Sequence, residues 1–283
     1  MDSMLINKEN LGLKNQILLA LKNFWLIRLF FLNSLLLITR RTFFGYLWLL
    51  FRPAVPLTVY TIVFGIFMKI NSDVNFPYII FLMTGFALWS MFDETLLWTT
   101  RSFEGNKKIV KKISLPFLLI PIGSSIVGLV LSLTSLLFLI VACFYYYIID
   151  SKIYFQIGFN NFAITILSIV TTYIFSLGLG FYLCILNAKF RDTKFVTKTI
   201  LSGWLYLTPV MYPLSKIPQD YQYLYLLLNP ISIPIVNLRD SLLEGKLSVS
   251  TELIFFNFLI CLIVFFFGLN FYIKKIKQDL IIV

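Results

Sequence analysis

The chain contains no histidine, and only 13% of its 283 residues are charged, about half of the roughly 25% usual in soluble domains. Without imidazole there is no histidine proton relay and no histidine metal site. Cysteine is scarce: Cys143, Cys184 and Cys261 stand far apart inside apolar runs, without metal-ligand spacing, and read as small core residues. No G-x-x-x-x-G-K-[ST] loop occurs, so the chain has no phosphate cradle of its own for a nucleotide. No ionisable residue falls near the centre of the apolar runs, which disfavours a transporter with its own ion coupling.

What the chain has instead is apolar surface. Hydrophobic residues make up 59% and aromatics 18%, as 30 Phe, 15 Tyr and 5 Trp, and the mean hydropathy is +0.87. That is more than one soluble core hides, and it excludes disorder. The expectation is an all-α integral membrane protein. A hydrocarbon layer about 30 Å thick takes roughly 20 residues of helix. Six runs meet that need, at about 47–69, 76–98, 121–149, 162–186, 195–212 and 253–273. Residues 1–46 are then a cytoplasmic N-terminal part, 47–273 the transmembrane domain and 274–283 a cytoplasmic tail.

Two further apolar stretches are expected not to cross. Phe24–Ile38 is short and carries Arg28 and Asn33, while Asn15, Lys22, Asn33 and Arg40 share one edge of a helical wheel. An interfacial helix fits, and the lack of a small-residue cleavage site argues against a signal peptide. Tyr221–Val236 is broken by Pro230 and Pro234, which lack backbone donors and free carbonyls that lipid cannot satisfy. A re-entrant outer hairpin between the fifth and sixth spans is expected there. Charge supports both readings. With both termini inside, 19 of the 24 Lys+Arg fall on the inner side, whereas the acidic residues divide almost evenly.

Four local patterns stand out. Arg40-Arg41 runs through Gly45-Tyr46-Leu47-Trp48 into Arg52-Pro53 and reads equally as an interfacial anchor. Arg101–Pro116 mixes Lys107, Lys108, Lys111 and Lys112 with Ile109, Val110 and Ile113, as an amphipathic docking helix or a topology-setting basic loop does. A compact charged turn, Phe190-Arg191-Asp192, separates the fourth and fifth spans. Prolines punctuate Thr208-Pro209-Val210-Met211-Tyr212-Pro213, Ile217-Pro218 and Asn229-Pro230.

In this order and spacing the patterns resemble the membrane subunit of type-2 ABC exporters for polysaccharides, the family that moves O-antigen, capsule and teichoic acid chains. The resemblance runs from about Leu35 to Lys275. It implies a homodimer in the bacterial cytoplasmic (inner) membrane, bound to two copies of a cytoplasmic ATPase that carries the ATP and magnesium, with no cofactor on this chain. It implies a permease without catalysis of its own, a lipid-linked polysaccharide as cargo, contact with membrane lipid, and no nucleic acid. Arg101, Lys107, Lys108, Lys111, Lys112, Arg191 and Asp192 would couple to the ATPase. Spans one and five would line the path, offering Tyr46, Trp48, Phe51, Tyr60, Phe64, Trp204, Tyr206 and Tyr212 as faces on which sugars slide. Pro213, Asn229 and Pro230 would form an outer gate. Cations at Arg40, Arg41 and Arg52 suit the diphosphate of a carrier lipid at the entrance. A type-2 permease for a drug, peptide or small lipid is the alternative on the same architecture. The short loop at 70–75 speaks against it.

Overall fold

The structure is a computed structural model that describes residues 21–40, 42–69, 76–110, 117–156 and 158–279, without the side chains of 107–110 and 277–279. Its described residues form helices and no strands. In chain order these are α1 (Trp25–Thr39), α2 (Trp48–Tyr60), α3 (Tyr78–Thr100), α4 (Ser102–Val110), α5 (Leu119–Asp150) and α6 (Phe159–Lys189). They continue as α7 (Thr193–Trp204), α8 (Gln219–Leu228), α9 (Ser232–Arg239) and α10 (Thr251–Asp279).

Among the described residues, five stretches are long and apolar enough to cross a bilayer: Gly45–Phe67, Tyr78–Thr100, Leu119–Asp150, Phe159–Lys189 and Thr251–Ile276. Each lies within a few residues of an expected run. The expected span at 195–212 is not among them. Its regular helix ends at Trp204, and tighter turns from Tyr206 N to Gly203 O and from Thr208 N to Leu205 O carry the coil as far as Thr208. Pro209 has no N–H to extend it.

Around α3 the others assemble, because nearly every α3 residue is buried and the main apolar cluster is built on it. Close packing rests on small residues. A Cβ on Gly128 of α5 would stand 2.8 Å from Thr95 Cα on α3, and one on Gly180 of α6 would stand 2.7 Å from Thr99 Cβ. Among the five long stretches, the one containing α2 is the least enclosed. Pro53 and Pro56 interrupt its hydrogen-bond ladder, and its far end widens into a π turn, Thr61–Phe67.

Helix α1 is too short to count as a span, as expected, but its polar edge differs from the wheel. Asn33 does not lie on an aqueous face. Its amide donates to Gly105 O at 3.3 Å and Asn106 Oδ1 at 2.8 Å on α4. Beside it Ser34 donates to Ser124 Oγ of α5, and Asn106 donates to the same hydroxyl. A buried polar clamp thus ties α1, α4 and α5 together. Asn15 lies outside the described residues.

Candidate functional site

A cleft opens where α2, α3 and α7 meet, and its chemistry is set by two adjacent acids on α3. Glu94 accepts from Arg52 Nη2 of α2 at 2.6 Å and from Trp98 Nε1, one turn further along α3, at 3.1 Å. The tryptophan sits four residues after the glutamate, on the same helix face, so the carboxylate is oriented from within α3 as well as by the arginine. Asp93 stands beside it.

Two cavities adjoin this cluster. One, of about 280 Å³, is lined by Tyr60, Phe86 and Trp89 with hydroxyls from Ser90 and Ser202. The other, of about 560 Å³, is lined by Trp98, Arg101, Glu104, Asn106 and Lys194 with residues of α1 and α5. Arg52, Asp93, Glu94 and Lys198 belong to the walls of both, so a charged partition divides an aromatic cavity from a charged one. Across the charged cavity Lys194 of α7 donates to both Glu104 oxygens of α4, at 2.6 and 2.8 Å. Burial holds the Arg101 guanidinium below the usual arginine range, against the opposing pull of Glu94. That guanidinium lies over the Trp98 ring, 4.6 Å from its centre. No cluster of metal-ligating side chains occurs among the described residues.

These positions regroup the residues expected from sequence. Arg52, expected among the entrance cations, is ion-paired with Glu94. Arg101 lines the cleft and does not project from the docking helix. The described helix in that segment is Ser102–Val110. The side chains of Lys107 and Lys108, and all of Arg41, Lys111 and Lys112, lie outside what is described. Arg40, Arg191 and Asp192 are exposed. Among the path aromatics, Tyr46, Trp48, Phe51 and Tyr206 are exposed, whereas Tyr60, Phe64, Trp204 and Tyr212 pack against the main cluster. Phe44 stacks on Trp48 and leans on Phe51, extending the exposed group at the start of α2. Asp93, Glu94, Trp98, Lys194 and Lys198 were not singled out from sequence. The one local signal was an acidic pair in an apolar run, with Trp98 one turn beyond it.

At the opposite end Asn229, between α8 and α9, holds the turns after α7. It accepts from Trp204 Nε1 and donates to Leu207 O and Thr208 Oγ1, all at 3.1 Å. Pro230 O accepts from Asn257 of α10 at 2.8 Å, and Pro213 leads into a 3-10 turn at Leu214–Lys216. Arg239, deeply buried at the end of α9, donates to Pro209 O and Val210 O and lies 3.6 Å from the centre of the Phe81 ring on α3.

Residues 26–243 match the family described as ABC-2 type transporter, which spans the helices that build both the cleft and the Asn229 junction. The chain belongs to the ABC-2 type transporter family. Among curated relatives, this ABC-2 permease is 27% identical over 196 residues to the O-antigen export system permease protein RfbA of Myxococcus xanthus, covering 68% of this chain and 70% of that one. It is 26% identical over 205 residues to the RfbA protein of Klebsiella pneumoniae, covering 72% and 75%. It is also 26% identical over 232 residues to the polysialic acid transport protein KpsM of Escherichia coli, covering 81% and 84%. The expected resemblance to polysaccharide-export permeases is borne out at the level of the family and these relatives.

Proposed function

We propose that this ABC-2 permease is the membrane subunit of an exporter that moves a lipid-linked polysaccharide across the bacterial cytoplasmic membrane. ATP and magnesium are bound and used by a separate ATPase subunit. The observation that carries this reading is that relatives named for O-antigen export and for polysialic acid transport align along most of the chain. Two different glycans on one architecture point to polymer export as the shared task.

The topology that suits this task has six crossings with both ends in the cytoplasm. Helix α7 together with the turns that follow it, as far as Tyr212, makes the fifth crossing. The pair α8 and α9 dips in from outside and returns. Two copies of the chain face each other across α2 and α7, and two ATPase subunits dock on α4. In support, α2 is poorly enclosed by its own chain and exposes Trp48 and Phe51, while α7 exposes Thr199 and Ser202 and the turns after it expose Tyr206. Mixed aromatic and hydroxyl surface suits a sliding sugar chain, which is served by many weak contacts.

The test is deletion of the gene with glycan measured on each side of the cytoplasmic membrane. Polymer on its carrier lipid accumulates inside and the surface coat is lost. A normal coat with no internal accumulation would refute polysaccharide as the cargo.

A further inference from the structure

Among the described residues, the walls of the charged cavity carry more cationic groups than acidic ones. Its walls carry Arg52, Arg101, Lys194 and Lys198 against Asp93, Glu94 and Glu104. Lys194 is engaged with Glu104, and Arg52 with Glu94. That leaves Arg101 and Lys198 against Asp93 among the lining residues. Arg101 shows the imbalance most directly, because its Nε–H is buried and has no hydrogen-bond acceptor among the described residues. A buried donor without an acceptor is unfavourable, and a ligand oxygen that accepts from it relieves that cost. Stacking on Trp98 holds the guanidinium plane, and a plane so held presents its donor edge to a flat or tetrahedral oxyanion.

The Arg52–Glu94 pair is asymmetric. Glu94 is held from two sides and its side chain is 10% exposed, whereas the Arg52 side chain is 35% exposed. Arginine is therefore the partner free to leave. It is also a wall of both cavities, so its swing would change the partition between them.

We propose that the charged cavity is an anion subsite for a phosphate or diphosphate group, with Arg101 and Lys198 as its ligands. In this scheme the Arg52–Glu94 ion pair is a latch that such a group opens by competing with Glu94 for Arg52. The proposal deepens the export reading and rests on it for the source of the anion, the diphosphate headgroup of a carrier lipid. The aromatic cavity beyond the latch then receives the first sugar against Tyr60 and Trp89. An oxygen of an uncharged lipid or sugar could accept from the Arg101 donor but would leave the surplus positive charge uncompensated.

The test uses the full chain in nanodiscs of zwitterionic lipid, with Trp98 fluorescence as the reporter and W98F defining the signal from that ring. Inorganic diphosphate is added first, then a short prenyl diphosphate, then the matching neutral prenol. Inorganic diphosphate is expected to give a saturable change that R101Q weakens at least tenfold. E94Q is expected to tighten it about tenfold, since one opposing charge is removed and Arg52 is released. A gain of affinity cannot come from misfolding, which keeps the result decisive even where R101Q folds poorly. Tighter binding of prenyl diphosphate than of inorganic diphosphate, with no response to prenol, assigns the site to a lipid headgroup. Equal binding of the two diphosphates assigns it to a soluble phosphate and overturns the headgroup assignment. No saturable response, or weakening by E94Q, overturns the subsite itself. A deletion strain with a normal surface glycan would refute the export reading while leaving a positive binding result intact.

Discussion

Replacing Asn229 by alanine removes three hydrogen bonds from the junction of α7, α8 and α9. Asn229 is buried, so no bulk water replaces the lost partners. A hydrogen bond contributes about 0.5–1.5 kcal/mol net in water-soluble folds, and side-chain bonds between membrane helices average about 0.6 kcal/mol. The loss therefore amounts to about 2–3 kcal/mol, a shift of roughly 30- to 150-fold in the folding equilibrium. The decisive measurement is a double-mutant cycle with W204F, which removes the indole donor and keeps a ring against Phe92, whose centre lies 5.4 Å from that of Trp204. Stability is read by circular dichroism during detergent-driven unfolding of the full chain, so that loss of a tryptophan does not disturb the signal. The two changes are expected to be non-additive by about 0.5–1 kcal/mol, because they share one bond. Additivity within about 0.3 kcal/mol would refute the claim that Asn229 fastens the end of α7 through Trp204.

Packing offers a sharper contrast. G128A places a methyl group 2.8 Å from Thr95 Cα and is expected to destabilise by about 1–3 kcal/mol. G203A meets nothing within 4 Å among the described residues and, as a glycine removed from a helix, is expected to be neutral or to stabilise by up to about 1 kcal/mol. The same unfolding titration separates them. R239M leaves the Pro209 and Val210 carbonyls without their donor; a fall of about 3 kcal/mol is expected, with R239K falling less. The Lys194–Glu104 pair is partly exposed, so E104K should change stability by less than about 1 kcal/mol. If α4 docks the ATPase and passes motion to α7 through this pair, E104K lowers stimulated ATP turnover in the assembled complex and E104K/K194E restores it. Failure of the double swap to restore turnover would remove the pair from the coupling route.

Hydropathy and proline placement were readable because both are local properties of the chain. The run read as 162–186 appears as Phe159–Lys189, and the run read as 47–69 as Gly45–Phe67. The break in Tyr221–Val236 was legible from Pro230, and α8 and α9 do part there. The prolines at 209 and 213 were equally visible, yet the run at 195–212 was read as continuous helix, because its apolar content outweighed them. The family was legible for the same reason, since its motifs are punctuation of the chain by Gly, Pro and basic residues.

The charged residues were not legible in this way. Arg52 was read as an entrance cation with no partner named, because Glu94 is 42 positions away and no periodicity links them. Arg101 read as part of a docking helix, although stacking on Trp98 keeps it in the cleft wall. Asn33 read as the wet edge of a surface helix, and it is the hook that fastens α1 to α4. The sequence alone determined which segments are apolar enough to leave water and where the backbone cannot continue as helix, because those follow from each residue's own hydration and donors. Only the tertiary structure decided which polar groups those segments bring together. A charge in an apolar setting is satisfied by whichever neighbour the helix packing delivers, and that neighbour comes from a distant part of the chain.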